Sequence, residues 1–147
     1  MIGVGNRYRR DDGVGPAVAE RLRGRGDVDV ATCEQEPSRL LDAWAGADLA
    51  LVVDAVSSGA KPGTVHRFDA TRRAVPSSVF RGSTHALGVG EVIELARALG
   101  RLPGRVLVYG VEGGEFAAGD GLSPAVAAAV EPLAAELMEE AGCTSAR

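Results

Sequence analysis

Short apolar runs alternate with segments of helical periodicity along most of this chain. Apolar and β-branched runs of this length are typical of strands. The runs Leu49–Val53 and Val106–Val108 are continuous enough to be buried on both faces, as in a parallel sheet. The predicted strands are Asp27–Thr32, Ala47–Val53, Gly63–Phe68 and Arg105–Val111.

Helical patterns lie between most of these runs. Val14–Arg23 repeats apolar residues every four positions and has Pro16 in its first turn, and Val89–Leu99 has a clear apolar stripe. The last helix is predicted to begin with Ser123 as N-cap and to stop at Gly142. A further helix is marked by Leu40, Leu41, Trp44 and Ala47. This alternation predicts an α/β fold, a three-layer α/β/α sandwich with a mostly parallel sheet, as a single domain over residues 1–147.

Two segments do not fit the alternation. The connection Asp69–Thr84 shows neither the apolar run of a strand nor the periodicity of a helix. Its length predicts a mobile segment that contributes to docking of a partner protein. Only Met1 and Ile2 precede the first glycine. Either the first strand is very short, or the natural protein has residues upstream of Met1.

Composition excludes several classes of protein. With 147 residues, 46% of them hydrophobic, the chain is long enough to bury a core, and its net charge of −4 gives no general basis for nucleic-acid binding. No apolar run approaches the ~20 residues of a membrane span, and no leader pattern precedes the first motif. Cys33 and Cys143 are expected to be free thiols and, without an adjacent base, poor nucleophiles. We therefore expect a cytoplasmic protein that does not bind membranes.

The first fifteen residues place two adjacent carboxylates, Asp11 and Asp12, in a loop with glycines at both ends. Asp54 follows a predicted buried strand, and His85 precedes the helix at Val89. Because ligands bind at the carboxyl edge of open α/β sheets, we expect Asp12, Asp54 and His85 to meet there. Two carboxylates and an imidazole suit a divalent transition metal and would hold Ni²⁺ more tightly than Co²⁺ or Fe²⁺. Asp11 should matter less to a metal, since adjacent residues point in different directions.

Each member of this set has a simpler interpretation. Asp12, or equally Asp11, could cap the helix that begins near Val14. Asp54 could close a turn, and His85 could be an ordinary loop histidine. His66 lies within a predicted strand and is interpreted as structural or surface. The basic residues beside the acidic pair are interpreted as a solvated loop face or a contact to an anionic partner; they are Arg7, Arg9 and Arg10.

Two other enzyme classes are disfavoured by spacing. Gly3-Val4-Gly5 has no glycine three residues later, so the dinucleotide-binding fingerprint fails. Neither Ser83 nor Ser123 lies in the Gly-x-Ser-x-Gly turn of the α/β-hydrolases.

Four segments together resemble the hydrogenase maturation endopeptidases. The family's opening Gly-x-Gly-Asn-x-x-x-x-Asp-[Asp/Glu]-x-x-Gly is present as Gly3 to Gly15. Its apolar strand ending in Asp-Ala is present as Leu51 to Ala55, its His-x-Leu-Gly as His85 to Gly88, and its Gly-Leu-Ser-Pro-x-Val as Gly121 to Val126. The matches occur in order over nearly the whole chain, and their combination is specific.

The resemblance implies an endopeptidase that trims the C-terminus of the large-subunit precursor of a nickel–iron hydrogenase. It further implies that Asp12, Asp54 and His85 are the catalytic and metal-contacting set. These residues would recognise nickel already inserted in the precursor, so nickel would be part of the substrate and not a permanent cofactor.

Two mechanisms and two other functions stay open at this stage. Nickel could act as template and Lewis acid, or one carboxylate could activate water while nickel serves only recognition. A metal-free aspartic-type peptidase would have Asp12 and Asp54 share a proton. A chaperone that binds nickel or the precursor would hydrolyse nothing.

Overall fold

In the computed structural model, which describes residues 1–34, 36–80 and 88–145, five strands form one sheet. Their order across the sheet is β2-β1-β3-β5-β4, and within this part of the chain β4 alone runs antiparallel to its neighbour. The predicted α/β fold with a mostly parallel sheet is confirmed. The strands are β1 (Ile2–Val4), β2 (Ala31–Cys33), β3 (Leu49–Val56), β4 (Val65–Asp69) and β5 (Arg105–Glu112).

Helices cover both faces of the sheet and give the predicted three layers. One core contains α1, α5 and the sheet residues Leu51, Val53, Leu107 and Tyr109. The core on the opposite face joins α2 and α4 to the alternate sheet residues, among them Val52 and Val108. The helices are α1 (Val14–Leu22), α2 (Leu40–Ala43), α3 (Ser77–Phe80), α4 (Val89–Ala98) and α5 (Pro124–Ser145), with 3₁₀ turns at Arg10–Gly13 and Pro37–Arg39.

The short strand β1 lies between β2 and β3 and carries the first loop to the middle of the sheet. Its Gly3 is in register with Thr32 on one side and Val53 on the other. Helix α1 packs directly on this strand because Gly15 has no side chain. A Cβ at Gly15 would overlap the carbonyl oxygen of Val4 and come within 2.6 Å of that of Val53. The loop after β1 is therefore held close to β3.

Several predicted boundaries are wrong, and three of them lie outside the candidate site. The predicted strand Asp27–Thr32 pairs only over β2, because β1 offers only the three partners Ile2–Val4. Helix α2 ends at Ala43, and Ala47 instead donates its N–H to the carbonyl of Trp44 in a turn. Helix α5 does not stop at Gly142. Met138 and Ala141 still pack against the core, and this packing continues past Leu137 and outweighs the ~1 kcal/mol that a helical glycine costs.

The connection Asp69–Thr84 is tied to α4 over its described part. The guanidinium of Arg97 donates hydrogen bonds to the carbonyl oxygens of Ala70 (2.8 Å), Thr71 (2.8 Å) and Arg73 (3.2 Å). Helix α3 lies within this connection, where no period was visible in the sequence. Residues 81–84 lie outside the described part of the chain, and the mobility of the connection remains a prediction. None of the helices in the described part of the chain is long and apolar enough to cross a membrane.

Candidate active site

Asp12 lies in the 3₁₀ turn between β1 and α1, at the carboxyl edge of the sheet. Its Oδ2 accepts a hydrogen bond of 2.8 Å from the backbone N–H of Asn6. The loop can close this tightly because residue 5 is glycine: Gly5 has φ +135°, and a Cβ there would overlap the carbonyl oxygen of Asp12. Helix α1 has Gly13 at its N-cap and no side-chain cap, so the interpretation of Asp12 as a helix cap is wrong.

Asp54 lies inside β3 and not after it, since this strand continues to Val56. Its register partner on β5 is Gly110, and strand alternation places it on the same face as Val52 and Val56. Burial raises the pKa of Asp54 well above its usual range, and the negative charge of Asp12 raises it further, while a hydrogen bond from the Ala55 amide opposes both. The effect of the Asp12 charge on Asp54 indicates that the two carboxylates are electrostatic neighbours.

Asp11 points away from this pair and is completely buried. Its Oδ2 accepts hydrogen bonds from the backbone N–H of Gly114 (2.8 Å) and Glu115 (2.9 Å) and from the Ser123 hydroxyl (2.8 Å). Its Oδ1 accepts the Ser123 N–H at 2.7 Å. Burial by itself would raise the pKa of Asp11, but the hydrogen bonds from Ser123, Gly114 and Glu115 lower it overall. The two adjacent carboxylates thus have different environments.

Ser123 occupies the predicted position before α5, and its carbonyl accepts the N–H of Ala127. Its hydroxyl, however, donates to Asp11. The sequence pattern identified the start of the helix but not the destination of the side chain, which depends on a residue 112 positions away.

His85 lies outside the described residues, so its meeting with Asp12 and Asp54 stays a prediction. The chain enters that region from Phe80, whose ring lies 3.3 Å from the position of a Cβ at Gly110. Gly110 is the strand neighbour of Asp54. Among residues 1–34, 36–80 and 88–145, no three histidine, cysteine or acidic side chains form a group that could hold a metal.

Glu112 was not singled out from sequence, although it ends β5 beside the site. It is 1% exposed. Its Oε1 accepts hydrogen bonds from the Ser58 N–H (2.7 Å), the Ser58 hydroxyl (2.8 Å) and the Ala60 N–H (2.8 Å). The predicted strand stopped one residue short of it. A carboxylate directly after a fully apolar run, the same signal that identified Asp54, would have found it.

His66 packs next to Glu112, with its Nε2 3.9 Å from the carboxylate. That nitrogen is buried and makes no hydrogen bond, and the imidazole stacks on Phe68 at a centroid distance of 6.4 Å. The interpretation of His66 as a structural residue is consistent with this environment.

The basic loop beside the acidic pair is partly neutralised within the chain. Arg7 pairs with Glu34 at 3.1 Å, and Arg10 pairs with Glu115 at 2.9 Å.

Burial raises the pKa of the Cys33 thiol, and the positive charge of Arg39 offsets this effect only in part. Cys33 is therefore not an activated nucleophile.

Comparison with known proteins identifies similar chains. A family model described as hydrogenase maturation protease matches residues 16–140. The hydrogenase expression/formation protein HupD of Thiocapsa roseopersicina is 28% identical over 155 residues, which cover 100% of this chain and 70% of the relative.

Solved structures give the same result. The hydrogenase maturating endopeptidase HybD from Escherichia coli superposes with a TM-score of 0.77 at 28% identity, covering 98% of this chain and 91% of that one. The [NiFe] hydrogenase maturation protease HycI from Thermococcus kodakarensis KOD1 shares the fold, with a TM-score of 0.73 at 24% identity over 94% of this chain and 88% of its own.

Proposed function

Because this chain belongs to the hydrogenase maturation protease family, we propose that it removes a C-terminal extension from the nickel-loaded large-subunit precursor of a nickel–iron hydrogenase. The chain is an endopeptidase of this family. The observation that supports a site at the carboxyl edge is the proximity of Asp12, in the turn after β1, to Asp54 on β3, whose pKa is raised by burial and further by the negative charge of Asp12. A non-hydrolytic chaperone has no such support, since the family is one of endopeptidases.

In this proposal Asp12, Asp54 and His85 contact the nickel of the precursor. Carboxylate and imidazole donors fit a divalent nickel ion, and thiolates of the precursor would supply softer ligands. Two carboxylates and one imidazole, without a thiolate, hold nickel weakly on their own. Nickel is therefore part of the substrate, and it holds the precursor's chain end against the acidic pair.

Hydrolysis requires a base for water and an acid for the leaving amine. An ionised carboxylate at the site takes a proton from water as its oxygen attacks the scissile carbonyl. The carbon–nitrogen bond then breaks, and the amine leaves with a proton from the acid partner. The products are a new carboxyl terminus on the large subunit and the free extension.

A second candidate mechanism is favoured by the raised pKa of Asp54. Two neighbouring carboxyl groups that cannot both ionise share one proton, as in aspartic-type peptidases. Asp54 would then be the acid and Asp12 the base, without any need for nickel. This alternative predicts cleavage of apo-precursor and an acidic optimum.

We propose that the reaction takes place in the cytoplasm. The buried free thiol of Cys33 is compatible with a reducing compartment.

Mass spectrometry of a large-subunit precursor incubated with the protein tests the function. We expect the nickel-loaded precursor to lose a C-terminal peptide and the apo-precursor to stay intact. Cleavage of both forms would favour the carboxylate pair alone. Cleavage of neither form, with the protein folded, would contradict the proposed function.

A further inference from the structure

Two buried carboxylates outside the reacting pair are attached to the same segment of chain. In the described part of the chain, Asp11 and Glu112 are the buried polar or charged residues, at 0% and 1% exposure. Glu112 ends β5, and Asp11 is bonded to the connection that follows, between β5 and α5. Neither carboxylate is exposed to solvent. Their role must therefore be exerted through the groups that they hold.

Asp11 fastens the turn that carries Asp12. Besides its four side-chain contacts, its own N–H donates to the carbonyl of Glu115 at 2.9 Å, and the preceding N–H of Arg10 donates to the carbonyl of Gly119 at 3.1 Å. The next residue is Asp12, whose carboxylate is held from the other side by the N–H of Asn6. The orientation of Asp12 thus depends on the connection after β5.

Glu112 fastens the chain that leaves β3 after Asp54. Its backbone is in register with Val56, and its side chain holds the N–H groups of Ser58 and Ala60. The N–H of Gly113 also donates to the carbonyl of Val56 at 2.9 Å. Glu112 and Asp54 lie on the same face of the sheet, because Glu112 is two positions beyond Gly110, the register partner of Asp54. The end of β3 is thereby fixed to the end of β5.

We infer that Asp11 and Glu112 are positioning residues that hold Asp12 and Asp54 at a fixed separation, Asp11 by anchoring the turn of Asp12 to the β5–α5 connection and Glu112 by anchoring the chain after β3 to the end of β5. This inference rests on the proposed function, in which Asp12 and Asp54 react. A carboxylate suits the task because it only accepts hydrogen bonds, and bonds from N–H donors to a charged acceptor are about twice as strong as neutral ones. An amide in its place would turn an NH₂ group toward backbone N–H groups.

The inference also accounts for two family motifs. The first acid of the acidic pair and the serine of Gly121-Leu122-Ser123-Pro124 are bonded to each other. Neither belongs to the reacting set, yet both are needed to orient Asp12. The orientation of Asp12 therefore depends on residues near both ends of the sequence.

Asp11→Asn and Glu112→Gln, in the full chain, test this role. A misplacement of about 1 Å at a reacting group can cost ~100-fold in rate. We expect kcat for precursor cleavage to fall by about 10- to 100-fold while KM stays nearly unchanged. The milder variants Ser123→Ala and Ser58→Ala remove one hydroxyl donor each. They should also lower kcat without changing KM, by a smaller factor. They keep the test decisive if a carboxylate variant does not fold.

Matched controls separate positioning from simple loss of stability. Glu140→Gln removes a partly buried carboxylate that pairs with Arg67 on β4 and with Arg105 at the start of β5. Trp44→Phe removes a buried hydrogen bond of 3.1 Å to the carbonyl of Arg101. Assayed well below their melting temperatures, both should keep the wild-type kcat. Normal kcat in folded Asp11→Asn and Glu112→Gln, or equal kcat losses in the controls, would overturn the inference.

A reporter independent of activity distinguishes failure of this inference from failure of the proposed function. The amide of Asn6 bonds directly to Asp12, so its chemical shift and hydrogen exchange report the position of that carboxylate. Asp11→Asn should shift this amide and speed its exchange, and Glu140→Gln should not. An unchanged Asn6 amide in Asp11→Asn would overturn the inference even if the precursor is cleaved. A shifted amide would support it even if the wild type cleaves no precursor.

Discussion

The two ends of β5 place their charged groups in opposite environments. Arg105, at its start, and Arg67, on the neighbouring strand β4, form solvent-accessible ion pairs with Glu140. At its end, Glu112 is buried and bonded to backbone N–H groups. Exposed ion pairs contribute about 0–1 kcal/mol each, whereas a buried carboxylate is destabilising unless it is fully hydrogen-bonded. The comparison indicates that the buried carboxylates lie where the proposed reacting pair must be held in place.

The largest difference between the two ends should appear in catalysis. In the proposed mechanism Asp12 and Asp54 transfer protons or contact nickel, so Asp12→Asn and Asp54→Asn should each slow cleavage of the nickel-loaded precursor by about 10²- to 10⁴-fold. Asp42→Asn, on α2, removes an exposed carboxylate and should leave the rate unchanged. Initial rates of precursor cleavage, measured by mass spectrometry, test this prediction. A full rate in either site variant would remove that residue from the mechanism.

Backbone changes should show the same contrast in stability. Gly5→Ala forces a side chain onto a residue with φ +135° and against the Asp12 carbonyl, and we expect it to lower the free energy of unfolding by about 3 kcal/mol. Gly142→Ala lies in open space within α5 and should raise it by about 0.5–1 kcal/mol. Urea denaturation measures both. Equal tolerance at the two positions would contradict the tight closure of the first loop.

Acid should weaken the anchor at Asp11. Its folded-state pKa is lowered, so its stabilising contribution is present above the unfolded value of about 4 and is lost as pH falls through the folded pKa. At pH 7, Asp11→Asn should cost about 1–3 kcal/mol because buried N–H donors lose their acceptor. The difference in free energy of unfolding between the variant and the wild type should become smaller below about pH 4. Denaturation midpoints of both proteins over this pH range test the prediction. A stability difference that does not depend on pH would show that Asp11 does not act through its charge.

Asp54 should behave in the opposite sense. Since its folded-state pKa is raised, its contribution to stability is greatest below the unfolded value of about 4 and is lost as pH rises through the folded pKa. Asp54→Asn should therefore melt at a higher temperature than the wild type near pH 7, by roughly 2–4 °C for each 1 kcal/mol relieved. Below about pH 4 the difference should disappear. A lower melting temperature at neutral pH would mean that Asp54 is not held against a like charge.

The sequence predicted the parts of this molecule that depend on local pattern. Runs such as Leu49–Val53 identified buried strands, and the strand-end carboxylate identified Asp54. The resemblance to the family assigned the second acid of the first loop, Asp12, to the site. Adjacent residues were expected to point in different directions, and the structure places Asp12 and Asp11 in different environments.

Long-range contacts could not be predicted from local sequence patterns. The partners of Asp11 lie more than 100 residues away, so its anchoring role leaves no local signal. The length of β2 was mispredicted because it is set by β1 and not by its own apolar residues. The helix stop at Gly142 failed because packing of Ala141 continues the helix.

Nickel-gated recognition is the central claim, and a binding measurement tests it most directly. Nickel-loaded and apo-precursor are immobilised on separate sensor surfaces, and association of the protein is recorded at low temperature before cleavage proceeds. We expect distinctly tighter binding to the nickel-loaded form, and Asp12→Ala, Asp54→Ala and His85→Ala should each erase that preference while Asp42→Asn keeps it. Equal affinity of the wild-type protein for the two precursor forms would contradict the account.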